Sequence, residues 1–280
     1  MLYLGYLVAR AVAAVLPLNW SYWVAERIGD IWYASSRHLR GNLAHNLTLL
    51  PTAGGTRAQR SRLARRIVRN FAGVVAEFLY LPRIDVKHLD RIVHLESFMK
   101  LKQEMAGRPA ILLTAHLGNW ELAAAAGAML GIRLYVIALD HADPRVAAIF
   151  RSRREARGLT VMSVKSAAKD LALVLEAASV GIAGDRDFTG QGMPVDFFGV
   201  ATKVPSAYAG LAASRGIPVI PAFCVRGQDG KYHLESEPAI VATADDRGGA
   251  ADIVRRCIRI FEKHIEKYPE QWYRFDRIGE

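Results

Sequence analysis

His116 and Glu121 are the two side chains whose types and spacing most directly suggest chemistry, within Pro109-Ala-Ile-Leu-Leu-Thr-Ala-His-Leu-Gly-Asn-Trp-Glu-Leu122. A neutral imidazole can take a proton from a hydroxyl, while a carboxylate fixes its tautomer and stabilises the imidazolium that forms. No Ser or Cys lies close enough in the sequence to suggest a nucleophile. The simplest scheme is therefore direct attack by a hydroxyl of the substrate. The competing reading is a hydrogen-bonded core histidine beside a glutamate at a helix start. One His and one Glu five apart leave both open.

The elements that must position this pair are legible around it. Ala110 to Ala115 is an almost wholly apolar run, the pattern of a strand buried on both faces. Gly118 and Asn119 then turn the chain, and the stretch from Trp120 is rich in helix formers. Strand, turn and helix place the imidazole at the carboxyl end of a buried strand, where open α/β sheets bind their ligands. Glu121 falls in the first helical turn, where a carboxylate suits the helix dipole and can fold back towards the imidazole.

The same alternation runs from about residue 90 onward. Strands are expected at 91–96, 133–138, 160–164, 180–184 and 217–225, and a turn at 228–230 leads to a further one from Lys231. Helices are expected at 97–105, 166–178, 205–214 and 251–267, and Asp143-Pro144 starts another, with Asp as cap and Pro at the first helical position. This predicts an α/β fold: a central, mostly parallel sheet flanked by helices.

Before residue 83 the chain reads differently. Residues 2–16 are apolar apart from Arg10 and stop at Pro17. As a helix they span about 22 Å, short of the roughly 30 Å hydrocarbon core of a bilayer. Nothing basic precedes Arg10, so a secretory leader is disfavoured, and an interfacial or partly inserted anchor fits better, with an ordinary buried N-terminal helix as the competing reading. Residues 19–34 carry Trp20, Tyr22, Trp23, Trp32 and Tyr33, which suit a membrane interface or a core. Arg57, Arg60, Arg62, Arg65, Arg66 and Arg69 follow with no acid among them, and Leu63, Ile67, Phe71, Val74 and Phe78 recur at helical spacing. That is an amphipathic helix with a basic face, either solvated or used for a head group or carrier protein. The expected division is 1–82, helical and membrane-anchoring, and 83–280, the α/β domain.

Composition bounds the partners. The formal charge of +10 comes from 37 basic against 27 acidic residues, and only nine of the basic ones are lysine. Arginine-rich surfaces suit phosphate and carboxylate, so anionic membrane, phosphorylated glycolipid or an acidic carrier are the expected partners. No nucleic-acid module is present, and the aromatics are not interleaved with basic residues, so nucleic acid is not expected. Cys224 and Cys257 have no metal-site spacing and read as buried free thiols. Nucleotide-loop, Gly-x-Ser-x-Gly and His-Glu-x-x-His signatures are absent.

His-Leu-Gly-Asn-Trp-Glu resembles the His-x4-Asp/Glu motif of glycerolipid acyltransferases, and its wording is similar to the bacterial late lipid A acyltransferases. Mycobacterial phosphatidylinositol mannoside acyltransferases are similar too. Three further stretches support the resemblance. Arg154 to Gly158, after Asp143-Pro144 in place of an Asn-Pro, matches an arginine four residues before a glycine. Gly184-Asp-Arg-Asp, followed by Val195-Asp-Phe-Phe-Gly, matches an acidic strand end with its glycine-bearing loop. Pro269-Glu-Gln-Trp-Tyr-Arg matches a C-terminal Pro-x-Gln-Trp segment, read as packing over the domain. His38-Leu-Arg-Gly-Asn-Leu resembles a short segment ahead of the catalytic domain and is given no chemistry.

The resemblance, over roughly residues 5–277, implies an O-acyltransferase at the cytoplasmic face of the inner membrane. It implies His116 with Glu121 as general base, acting on a hydroxyl of a lipid A precursor or similar glycolipid. The donor would be acyl-carrier-protein or coenzyme A thioester, with no metal or other cofactor. Arg154 would hold a phosphate or carboxylate, and Asp185 and Asp187 would orient the arginine or the substrate sugar, a pair of turn-forming aspartates being the competing reading. Asn119, in the turn of the motif, is a further candidate for substrate contact. Phe197 and Phe198 read as an acyl-channel wall or as core, and the helix start after Lys203 as a weak anion site. The alternatives are a phosphatidylinositol mannoside or lysophospholipid acceptor, and a non-catalytic lipid-binding protein.

Overall fold

A computed structural model describes residues 2–138, 143–242 and 249–279. The chain opens with four helices, α1 (Leu2–Val15), α2 (Leu18–Ser35), α3 (Arg37–Leu49) and α4 (Arg57–Tyr80). Pro17 separates the first two, as a residue without a backbone N–H must at a helix boundary. Among the described residues no helix is long and apolar enough to cross a membrane. A capping box between Thr56 and Gln59 starts α4, whose apolar stripe buries Ile67, Val68, Val74 and Phe78. Its basic face is partly spoken for. Arg65 and Arg69 both donate to Asp30 of α2, at 2.8 and 2.6 Å, and hold that carboxyl well below the usual range. Arg57, Arg62 and Arg66 are exposed.

After α5 (Leu95–Met105) the chain alternates through β1 (Ile111–Thr114), α6 (Trp120–Met129), β2 (Leu134–Ala138), α7 (Pro144–Glu155), β3 (Thr160–Ser163), α8 (Val164–Val174) and β4 (Ser179–Ala183). A two-stranded hairpin, β5 (Met193–Phe197) and β6 (Val200–Val204), precedes α9 (Ala207–Arg215), β7 (Val219–Arg226), β8 (Tyr232–Ser236) and α10 (Gly249–Lys267). The main sheet has the order β3-β2-β4-β1-β7-β8. Its first five strands are parallel, and β8 adds an antiparallel edge. The expected α/β architecture is therefore present, with Asp143 capping α7 and Pro144 at its first position.

The structure departs from the expected elements in two places. Residues 91–96 are not a strand: a 3₁₀ turn occupies Val86–Arg91, and Val93 makes a single bridge to Tyr232 before α5 begins. Residues 193–204, for which no strand was expected, form a hairpin, because Phe198 and Gly199 both take positive φ and turn the chain back. Cys224 and Cys257 are buried free thiols, as expected. One hydrophobic core runs from Leu43, Leu47 and Ile67 of the N-terminal helices through Ile111 and Leu113 of β1 to Phe261 of α10.

Candidate active site

Strand register brings the site together. β1 and β4 are parallel neighbours with Leu113 opposite Ile182 and Thr114 opposite Ala183. Two residues beyond these partners lie His116 and Asp185. From β1 the chain crosses to β2 on one side, and from β4 it passes to β7 on the other. The two residues therefore flank a topological switch point, the crevice that open sheets use for ligands.

His116 Nδ1 lies 2.7 Å from Asp185 Oδ1. Asp185 is wholly buried. Its other oxygen accepts from Trp272 Nε1 at 3.2 Å, and its backbone carbonyl accepts from Arg274 at 2.6 Å. Burial alone would push this carboxyl up, but the His116 imidazole, Arg274 and the Trp272 N–H outweigh it and hold it down at about 2. An ionised carboxylate only accepts hydrogen bonds, so Nδ1 carries the proton and Nε2 keeps its lone pair. Nε2 has no hydrogen-bond partner among the described residues, and the side chain is 21% exposed. The edges of Trp120 and Phe188 flank the ring, at centroid distances of 5.0 and 6.1 Å.

Glu121 does not fold back to the imidazole. Its two oxygens take a bidentate contact from Arg154, Nε at 2.9 Å and Nη2 at 2.6 Å. The guanidinium in turn sits over the rings of Phe78 and Phe150, at 5.6 and 5.7 Å. Burial opposes its charge, and Glu121 more than restores it. Arg154 thus holds a carboxylate, as its chemistry suggests, but the carboxylate is the chain's own. The imidazole's partner comes instead from 69 residues away in sequence. Asp185 orients His116 rather than the arginine.

The turn between them is clamped on all sides. Gly118 has φ +66°, and a Cβ there would lie 2.0 Å from the carbonyl oxygen of Cys224. Gly118 N–H donates to Gln271 O at 2.8 Å, Asn119 N–H to Cys224 O at 2.7 Å, and Tyr273 N–H to His116 O at 2.8 Å. The C-terminal segment is thus more than packing. The Gln271 side chain accepts from and donates to the backbone of Arg226, fixing the strap from which Trp272 reaches Asp185. Asn42 and Asn46 of α3 donate to the carbonyls of Phe275, Arg274 and Asp276. The segment given no chemistry in the sequence therefore anchors the strap.

Two candidate substrate residues have structural employment. Asn119 is wholly buried and caps α6, its Oδ1 accepting from Leu122 N at 2.9 Å. Asp187 turns inward on its own loop, accepting from the N–H of Thr189 and Gly192 at 2.8 and 2.7 Å. Lys203 sits in β6 and donates to Gly190 O at 3.1 Å, away from the start of α9. Phe197 is fully buried and packs with Phe198 against Trp272. Among the described residues no group of three or more His, Cys, Asp or Glu is placed to hold a metal.

Sequence reading missed Glu77 and underrated Trp272. Glu77 had a signal: a lone carboxylate on the apolar stripe of α4, three residues after Val74 and next to Phe78. It is 1% exposed.

Comparison with known proteins shows the family of the chain. A family model described as bacterial lipid A biosynthesis acyltransferase matches residues 1–277. The chain is 26% identical to the phosphatidylinositol mannoside acyltransferase of Mycobacterium tuberculosis H37Rv, over 86% of this chain and 76% of that protein. It is 25% identical to the protein of that name from Mycolicibacterium smegmatis, over 75% of this chain and 70% of that protein. The chain belongs to the bacterial lipid A biosynthesis acyltransferase family and is an acyltransferase.

Proposed function

We propose that this acyltransferase moves a fatty acyl chain from a thioester to a hydroxyl of an anionic membrane glycolipid, with His116 as the general base. The observation that supports it most directly is the imidazole with Nδ1 held by Asp185 at 2.7 Å and its Nε2 lone pair free. Nε2 removes the acceptor's hydroxyl proton as that oxygen bonds to the thioester carbonyl carbon. The tetrahedral adduct then expels the sulfur, which takes the proton back from the imidazolium. The products are an ester and a free carrier thiol, of an acyl carrier protein or coenzyme A. Asp185 stabilises the imidazolium in between. The Arg154–Glu121 pair ties the first turn of α6, which follows the turn that carries the base, to α7.

The acceptor is a lipid A precursor or a phosphatidylinositol mannoside. Lipid mass spectrometry after incubating the protein with acyl thioester and each acceptor in turn tests the reading, with a His116→Ala control. A new ester on either acceptor, absent from the control, supports it and names the acceptor. Ester formation that survives in the control overturns the mechanism.

Substituting Arg154 by Lys tests the pair without removing its charge. Lysine cannot make the bidentate contact, so one charge-assisted hydrogen bond is lost and kcat is expected to fall about 10- to 100-fold. Steady-state rates with both substrates saturating read this.

Membrane association at the cytoplasmic face belongs to the same proposal. It is supported by the outward side of α2, where Trp20, Trp23 and Ile31 are 62, 58 and 68% exposed. Contiguous apolar exposure of this kind marks an interaction surface, and the exposed Arg57, Arg62 and Arg66 suit anionic head groups. Replacing Trp20 and Trp23 by Ala is expected to weaken sedimentation with phosphatidylglycerol vesicles about tenfold. Unchanged vesicle binding would remove α2 from the interface.

A further inference from the structure

Glu77 is a buried acidic side chain that the reaction scheme leaves unused. It lies in the last turn of α4, where a carboxylate opposes the helix dipole, and its burial adds a desolvation cost. Four donors from four other elements offset both. Oε1 accepts from the Tyr22 hydroxyl of α2 and from the Arg226 guanidinium of β7. Oε2 accepts from the Tyr232 hydroxyl of β8 at 2.8 Å and from Asn119 Nδ2 at 2.5 Å. Arg226 also sits over the rings of Tyr22 and Tyr232, at 5.1 and 4.7 Å.

The contact with Asn119 carries the consequence. A carboxylate can only accept, so the amide must turn its NH₂ to Glu77 and its oxygen to the Leu122 N–H. That second bond is the cap of α6. Asn119 stands three residues after His116 and two before Glu121, with its own N–H fixed to Cys224 O. The orientation of one buried amide therefore decides where α6 begins, and so where Glu121 meets Arg154.

We propose that Glu77 is a positioning residue for acyl transfer: through Asn119 it fixes the start of α6 and the turn that carries His116. The proposal rests on His116 being the base of the reaction proposed above. Tyr22, a ligand of the same carboxylate, ties α2 and its exposed tryptophans to that turn.

An exchange of donor and acceptor tests it. Glu77→Gln turns one oxygen into an NH₂ that faces the donors of Asn119 and Tyr232. Asn119→Asp keeps a cap for α6 but faces Glu77 with a second carboxylate. Together the two substitutions restore the match, because the new amide NH₂ donates to the new carboxylate and the Tyr232 hydroxyl rotates to accept its other hydrogen. Each single variant is expected to lose about tenfold in kcat with KM for the acyl donor within about twofold. Amide exchange across residues 117–124, followed by mass spectrometry, should quicken in both. The double variant should regain kcat to within about threefold of the native enzyme and recover slow exchange.

Single variants with native kcat and native exchange would overturn the proposal. So would a double variant no better than the worse single, with all three folded by circular dichroism. If the native chain transfers no acyl group to either acceptor, the reaction reading fails instead. The exchange rates then decide the positioning alone: unchanged protection in the single variants refutes it.

Discussion

Replacing His116 by Ala is expected to lower kcat for acyl transfer about 1,000-fold, within the usual range for removing a general base. The substitution leaves a small, partly solvated gap, since the side chain is 21% exposed, so the fold should survive. Its effect on Asp185 is separable from its effect on rate. In the native protein that carboxyl is held at about 2, well below its unfolded value of about 3.9. Stability from this shift is fully present above about pH 4 and is lost as pH falls through about 2. Without the imidazole, burial acts against a carboxylate held only by Trp272 and Arg274. Thermal melts between pH 3 and pH 7 should therefore show the Ala variant losing stability at higher pH than the native chain. A variant with normal turnover would remove His116 from the mechanism.

The central strand, its histidine and the helix behind it were legible because local rules govern them. An apolar run, a glycine turn and a stretch of helix formers leave few alternatives. The cap at Asp143-Pro144 is equally local. What the sequence hid is what depends on register. Asp185 meets His116 because β1 and β4 are parallel neighbours two residues short of each, and nothing within either strand says which strands adjoin. Glu121, by contrast, looked like the partner only because it was near in sequence. The helix that starts at Trp120 carries its carboxylate to α7 and Arg154. Residues 91–96 had the composition of a strand, but at the sheet's edge α5 starts after one bridge. The Pro-x-Gln-Trp segment read as packing because an indole is usually core, and only the fold brings its N–H to Asp185.

Asp185→Asn separates orientation from charge and carries the other large expected effect. The native carboxylate accepts from two donors, His116 Nδ1–H on Oδ1 and Trp272 Nε1–H on Oδ2. An amide has one oxygen, and the indole can only donate. The oxygen must therefore turn to Trp272, because an NH₂ there would set donor against donor in a buried place. The NH₂ then faces Nδ1 and forces it to accept. The imidazole shifts its proton to Nε2, and the atom that should take the substrate's proton already holds one. The expected loss is about 1,000-fold or more in kcat, the order seen when a base is locked in the wrong tautomer. KM should change little, since Asp185 is wholly buried. Circular dichroism and thermal melts distinguish this from simple loss of structure, because the Asn variant should stay folded while its rate falls. An Asn variant with native kcat would mean that Asp185 holds the fold and not the base.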